Sequence, residues 1–153
     1  MRLTDFVSPE AIFANVRATN KKQLLQELSQ RAAKLSGLDE REIFDALLHR
    51  ERLGSTGIGE GVAIPHGKLE RLDTVLAAVA LSEPGVEFGA PDGKKSQVFV
   101  ALLAPESGAS LHLKALARIS RIFSSPGLLE RLLQAGNEDE ILQTLVDEDA
   151  RLA

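Results

Sequence analysis

The stretch Val98-Phe-Val-Ala-Leu-Leu-Ala104 decides the fold, because it is an unbroken apolar run, and Val75–Leu81 has the same character. A strand with one face in water alternates apolar and polar residues, whereas a strand covered on both faces is apolar throughout. Both runs are far shorter than the ~20 residues that a membrane-spanning helix needs. We therefore expect two central strands, over Thr74–Leu81 and Gln97–Ala104, in a sheet with helices on both faces.

Helix signals precede these strands. Thr19 or Asn20 can cap a first helix that ends at Gly37, and Asp39 with Glu42 has the spacing of a capping box for a second. The residues expected to face the core are Leu24, Leu25, Leu28, Ala32 and Leu35 in the first helix and Ile43, Phe44, Leu47 and Leu48 in the second.

The last third of the chain also has helical periodicity. We expect Ser110 to cap a third helix, Ser125-Pro126 to open a short fourth, and Asn137 with Glu140 to cap a fifth. The expected inward-facing residues are Leu113, Leu116, Ile119, Ile122, Phe123, Ile141, Leu142 and Leu145.

Turn residues between the two central strands indicate that the sheet is mixed. Pro84-Gly85 and Pro91-Asp92-Gly93 surround a short expected strand, Val86–Phe88, and Ile12–Val16 is a further strand candidate. The predicted fold class is therefore α/β: a single domain over 1–153, with a mixed central β-sheet flanked by helices on both faces.

Composition excludes several classes of protein. Hydrophobic residues make up 44% of the 153 residues, which is globular and not disordered. The net charge of −4 does not favour nucleic acid or an anionic membrane surface. Cysteine is absent, and Met1–Asp5 lacks the apolar core of a signal peptide. We expect a cytoplasmic protein with no direct membrane insertion.

The segment Gly54-Ser-Thr-Gly-Ile-Gly-Glu-Gly-Val-Ala-Ile-Pro-His-Gly67 holds five of the chain's 12 glycines. It is either a tight connection or a nest of backbone N–H groups around an anion. A nucleotide is disfavoured, because the P-loop spacing is one residue too long, Leu69 replaces its Ser or Thr, and the segment follows a helix and not a strand. The candidate phosphate-binding residues are Ser55, Thr56, Gly57, Gly59, Gly61 and Gly67.

His66 is the main candidate for chemistry. Neutral imidazole is a nucleophile that needs no separate base, although a histidine that only completes loop hydrogen bonds is an equal alternative. His112, at the start of a helix after a central strand, is either a phosphoryl contact or a solvated side chain. Arg50 either faces the same anion or is solvated, and His49 is expected to be a helix-end residue. The sequence contains no His-x-x-x-His pair and no cysteine, so it does not indicate a metal site.

The glycine-rich segment through Lys68 resembles the active-site signature of the mannitol/fructose-type IIA domains of the bacterial phosphoenolpyruvate:sugar phosphotransferase system, especially their nitrogen-regulatory branch. Leu3–Pro9 and Ser110–Leu116 extend the resemblance. It implies an α/β fold and a phosphohistidine at His66 Nε2, with His112 and Arg50 near the phosphoryl group. It also implies HPr or its nitrogen-branch paralogue NPr as the donor, with no cofactor.

Three functions remain open at this point. The first is a regulator whose phosphorylation state controls partners in nitrogen, carbon or potassium systems, favoured because we expect no IIB-like segment. The second is a sugar-specific IIA protein that passes phosphate to a IIB protein. The third, of another class, is a binding module without phosphotransfer. For transfer between proteins we expect Ile58, Val62 and Ile64 to form the docking patch.

Overall fold

A six-stranded mixed sheet forms the centre of the computed structural model, which describes residues 1–153. The strands are β1 (Ile12–Phe13), β2 (Gly57–Gly59), β3 (Val62–Ala63), β4 (His66–Leu69), β5 (Leu76–Val86) and β6 (Ser96–Pro105). The helices are α1 (Lys21–Ser36), α2 (Glu40–Arg52), α3 (Ala109–Phe123), α4 (Leu128–Gln134) and α5 (Glu138–Arg151). Short 3-10 turns cover Leu3–Asp5 and Pro9–Ala11.

Strand order is β1-β5-β6-β3-β2, and β4 also pairs with β6. Strands β3 and β4 run parallel to β6 one after the other, while β5 runs antiparallel to it along its other edge. Strand β1 is parallel to β5, and β2 is antiparallel to β3. The sheet is therefore mixed, as predicted.

The two faces of the sheet enclose separate hydrophobic cores. Along β6, Val98, Val100, Leu102 and Ala104 lie in the core formed with α3, α4 and α5. The residues between them, Phe99, Ala101 and Leu103, lie in the core formed with α1 and α2. This alternation explains the unbroken apolar run, because each side of the strand faces a helix layer. The prediction of an α/β domain with helices on both faces is confirmed.

Three helix starts follow the predicted capping. The Asn20 side chain accepts a hydrogen bond from the Gln23 N–H at 2.9 Å, and Gly37 ends α1 in the left-handed conformation. Asp39 accepts from the N–H three residues later at the start of α2, and Asn137 does the same for α5. No helix of the protein is both long and apolar enough to cross a membrane.

Two strand predictions are corrected. Pro84-Gly85 does not separate two strands, because β5 continues to Val86 with an irregular register between Leu81 and Val86. Gly85 has a φ of +80°, which accommodates the irregularity within one strand. Pairing near the start of the chain covers Ile12–Phe13 and not Ile12–Val16.

Two helix starts also differ. Helix α3 is preceded by Gly108 as N-cap, so Ser110 lies inside it, and α4 begins at Leu128, after a left-handed Gly127. Within α3, Leu113 is 65% exposed, whereas His112 is 6% exposed. In the first turns of α3 the buried positions are His112 and Ala115 and not Leu113 and Leu116, whereas Ile119, Ile122 and Phe123 are buried as predicted. Residues only partly buried, against expectation, are Leu35, Phe44, Leu48, Leu116 and Leu142.

Candidate functional site

An open pocket lies where β4, the last turn of α2 and the first turn of α3 meet. The three elements converge because β4 pairs with the end of β6, and α3 follows β6 after a short connection. The lining residues are Ala46, His49, Arg50, Leu53, His66, Gly67, Lys68, Glu106, Ala109, His112, Leu113 and Leu116. Arg50, His66 and His112, predicted as site residues, are therefore brought together.

His66, the first residue of β4, has both ring nitrogens in hydrogen bonds. Its Nδ1 lies 2.8 Å from the Ile64 carbonyl oxygen. A carbonyl oxygen can only accept, so Nδ1 carries the proton. The lone pair then lies on Nε2, which accepts from the Nε–H of Arg50 at 3.1 Å. Both contacts specify the same neutral tautomer, in which Nε2 is the nucleophilic nitrogen.

Burial is the largest cause that lowers the pKa of His66 below its ordinary value of 6.5. The hydrogen bond to Ile64 raises this pKa, the positive charge of Arg50 lowers it, and the negative charge of Glu51 raises it. Because the net change is downward, the imidazole is neutral at pH 7 and its Nε2 lone pair is available.

Arg50 lies in the last turn of α2, where a cation also complements the helix dipole. Its Nη1 donates to the Gly54 carbonyl oxygen at 2.9 Å while its Nε–H faces His66. The guanidinium is thus held between the end of α2 and the imidazole. We find Arg50 in contact with the predicted nucleophile and not merely solvated.

His112 lies in the first turn of α3 with its ring centroid 5.4 Å from that of His66, nearly edge to face at 80°. It is not the solvated side chain considered above, since it is 94% buried and its Nδ1 has no hydrogen-bond partner. Burial lowers the pKa of His112, and the charges of His66 and Lys68 lower it further. A neutral His112 can donate one N–H to an anion bound beside His66.

The glycine-rich segment does not form the expected phosphate cradle. Of its six predicted residues only Gly67 lines the pocket. The polar groups of the others serve the fold: Ser55 Oγ donates to the Phe88 carbonyl oxygen and accepts the Gly57 N–H at 3.0 Å. Gly59 and Gly61 have positive φ values that turn the chain between β2 and β3. For Ser55, Thr56, Gly57, Gly59 and Gly61 the structure favours the tight-connection interpretation.

Two of the three predicted docking residues are wrong. Val62 and Ile64 are 2% exposed and belong to the core formed with α3, α4 and α5, so no partner can reach them. Ile58 is 46% exposed but does not line the pocket. The large apolar side chains that do lie exposed at the pocket are Leu53, at 73%, and Leu113, at 65%.

Sequence reasoning also missed His49, Lys68 and Glu106 as pocket residues. The helical spacing of Ala46, His49, Arg50 and Leu53 on one face of α2 was a signal that could have found His49 and Leu53. No group of three or more potential metal ligands comes together in the structure. Arg50 and Lys68 face Glu106 alone at the pocket, and Arg50 offsets the negative end of the α2 dipole. With the positive end of the α3 dipole at its edge, the pocket suits an anion.

Comparison with known proteins agrees with this fold. Residues 5–148 match the family model described as phosphoenolpyruvate-dependent sugar phosphotransferase system, EIIA 2. The chain belongs to this family, whose members are phosphotransfer proteins.

Relatives within the family are similar over most of the chain. A nitrogen regulatory protein of Bradyrhizobium diazoefficiens is 42% identical over 145 residues, 95% of each protein. The crystal structure of nitrogen regulatory protein IIA-Ntr from Neisseria meningitidis has a TM-score of 0.87 and 31% identity, covering 94% of this chain and 98% of that one. A fructose-specific EIIABC component of Bacillus subtilis is 31% identical over 150 residues, 97% of this chain and 24% of that protein. The resemblance to the nitrogen-regulatory branch of the IIA proteins is therefore confirmed.

Proposed function

We propose that this protein is a phosphohistidine carrier in which Nε2 of His66 accepts a phosphoryl group from another protein. The observation that carries the proposal is the pair of hydrogen bonds on the imidazole. The Ile64 carbonyl oxygen holds the proton on Nδ1 and leaves the lone pair on Nε2, within the pocket. The lowered pKa keeps this nitrogen unprotonated at neutral pH.

The transfer step needs no nucleotide. The Nε2 lone pair forms a bond to phosphorus in line with the N–P bond that breaks on a donor phosphohistidine. The electron pair of the broken bond returns to the donor imidazole, which leaves neutral if its other nitrogen carries a proton. The proton on Nδ1 of His66 stays hydrogen-bonded to the Ile64 carbonyl oxygen. The product is therefore a phosphoimidazolium whose charge Ile64 stabilises.

Arg50 and His112 are suited to stabilise the transferred group. The Nε–H of Arg50 leaves the Nε2 lone pair as the bond to phosphorus forms, and the guanidinium then faces the phosphoryl oxygens. His112 contributes an N–H from the opposite side, close to the His66 ring. Lys68 and the positive end of the α3 dipole add to the favourable field.

The partners in this proposal are proteins. HPr or NPr is the donor, and Leu53 and Leu113 provide an apolar rim on which such a donor can dock around the pocket. The downstream role that the comparisons support best is regulation, because the relative from Bradyrhizobium diazoefficiens, similar over nearly its whole length, is called a nitrogen regulatory protein. Phosphorylation adds about −1.5 to −2 charges, which changes the electrostatics of this rim.

A second candidate is a sugar-specific role, in which His66 passes its phosphoryl group to a IIB protein. The 31% identity to the fructose-specific EIIABC component favours it, since that relative combines its A component with B and C components. The two roles share the first transfer and differ only in the acceptor.

The first transfer is tested by incubating the protein with phosphoenolpyruvate, Enzyme I and HPr or NPr. We expect the intact mass to rise by one acid-labile phosphoryl group. His66→Ala should not gain it, whereas His49→Ala should, because His49 lines the same pocket but has no hydrogen bond that orients its ring. A phosphoryl group on His66→Ala would contradict the proposal, and failure of the wild type to gain one would favour the binding module.

A further inference from the structure

Glu51 is a buried carboxylate that directly follows Arg50 in α2, and its side chain is 3% exposed. One oxygen, Oε2, accepts from the Lys21 ammonium at 2.8 Å and from the Thr56 N–H at 2.9 Å. The other, Oε1, accepts from the Thr56 hydroxyl. Burying a carboxylate without hydrogen-bond donors costs free energy. The two hydrogen bonds from Thr56 to Glu51 therefore hold both the backbone and the side chain of Thr56 in place.

Thr56 connects this carboxylate to the nucleophile through one intermediate residue. The Thr56 carbonyl oxygen accepts the Ile64 N–H at 3.0 Å. The Ile64 carbonyl oxygen in turn accepts the Nδ1–H of His66 at 2.8 Å. A series of hydrogen bonds therefore runs from Glu51 through Thr56 and Ile64 to the ring nitrogen opposite the one that reacts.

We infer that Glu51 is a positioning residue, which acts through Thr56 and Ile64 to hold His66 in the tautomer with the proton on Nδ1. This inference rests on the proposed function of His66. The tautomer of a histidine is set by the hydrogen bond that its other nitrogen makes. Arg50 and Glu51 are adjacent in α2 and act on opposite nitrogens of the imidazole. Arg50 contacts Nε2 directly, whereas Glu51 acts on Nδ1 through Thr56 and Ile64.

In this arrangement the glycine-rich segment Gly54–Gly67 helps to position His66 and does not itself bind phosphate. Its glycines allow the chain to return from α2 to β3, so that Thr56 lies beside Ile64. Thr56 is itself buried and does not line the pocket, so any effect of its substitution on phosphoryl transfer must act through other residues.

The experiment measures the imidazole nitrogens of His66 by long-range ¹H–¹⁵N NMR in the unphosphorylated protein. We expect the wild type to carry its proton on Nδ1. Thr56→Val has nearly the same shape but lacks the hydroxyl, so it should raise the fraction of the tautomer with the proton on Nε2 and slow phosphoryl acceptance roughly tenfold. Thr56→Ser retains the hydroxyl and should resemble the wild type in both measurements.

Lys21→Met is the matched control, because it removes one donor from Glu51 and leaves both Thr56 contacts. It should lower the free energy of unfolding without changing the tautomer.

A wild-type proton on Nε2, or a folded Thr56→Val with unchanged tautomer and rate, would overturn the inference. If Thr56→Val does not fold, Glu51→Gln is measured instead, and an unchanged tautomer and rate there overturn it equally. The NMR measurement uses the unphosphorylated protein and needs no phosphoryl donor. It therefore tests the tautomer of His66 even if His66 does not accept a phosphoryl group.

Discussion

Gly67 and Ala46 bring strand β4 and helix α2 into backbone contact directly beside the Arg50–His66 hydrogen bond. A β-carbon on Gly67 would lie 3.1 Å from the Cβ of Ala46 and 3.2 Å from its carbonyl carbon and oxygen. A side chain at this position would therefore have to push α2 and β4 apart by a few tenths of an ångström.

Gly67→Val should separate β4 from α2 and lengthen the distance between Arg50 Nε and His66 Nε2. Overpacking of this kind costs about 1–3 kcal/mol of the free energy of unfolding. We expect denaturant unfolding to show that loss, and the rate of phosphoryl acceptance to fall as well.

The control for this substitution is Gly136→Ala, because the three atoms nearest to the new β-carbon, at 3.4–3.7 Å, belong to the carboxyl group of Glu140. It should leave phosphoryl acceptance unchanged. A Gly67→Val protein with wild-type stability and rate would show that the backbone contact is unimportant.

His112→Ala should slow phosphoryl acceptance but not abolish it, because the nucleophilic lone pair belongs to His66. Loss of one preorganised donor typically slows a reaction roughly 10²- to 10³-fold. The measurement is the rate of phosphorylation in rapid-quench experiments, with the final yield as a second readout. A folded His112→Ala that never becomes phosphorylated would mean that His112 does more than stabilise the transferred group.

Leu113→Lys should weaken the interaction with the phosphoryl donor and leave the fold intact, because Leu113 is mostly exposed at the pocket. We expect a higher KM for the donor and little change in the free energy of unfolding. Ile58→Lys is the matched control, since Ile58 is also exposed but does not line the pocket. Equal effects of the two substitutions would place the donor elsewhere.

The pH dependence of phosphoryl acceptance follows from the lowered pKa of His66. Since only the neutral imidazole reacts, the rate should decrease as the pH falls, with a midpoint below the ordinary histidine value of 6.5. Arg50→Gln removes a positive charge that lowers this pKa, so NMR titration should show a higher pKa in the variant. An unchanged or lower value would contradict the contact between the two side chains.

The same shift has a consequence for stability. The unfolded chain binds a proton near the ordinary pKa of 6.5, before the folded protein does. The contribution of neutral His66 to the free energy of unfolding is therefore complete above that pH and decreases as the pH falls toward the folded pKa. His112 acts in the same direction, because its pKa is also lowered.

Much of the fold was predictable because both central strands are buried on two sides. The apolar runs around Val79 and Val100 could be read directly, and helix caps such as Asn20 and Asn137 depend only on local spacing. The continuation of β5 through Pro84-Gly85 was not predictable, because the same dipeptide also ends strands, and only pairing with β6 extends β5 beyond it.

The site was predictable at His66 but not at its rim. Val62 and Leu113 are both apolar, yet the first is buried and the second is exposed. The apolar residues of α3 span a wider arc than the one that faces the sheet, so periodicity alone could not tell which edge of the arc remained in water. Burial of His112 could not be predicted for the same reason.

The register of β4 places His66 beside Leu102 and Gly67 beside Leu103, so successive residues adjoin the two hydrophobic cores. Arg50 comes from the helix layer on one face, and His112 from the layer on the other. The geometry of the site therefore exists only once both layers have condensed onto the sheet. During refolding, the ability of His66 to accept a phosphoryl group should return only with the slowest folding phase of the protein. Neither helix layer packed alone on the sheet should provide it.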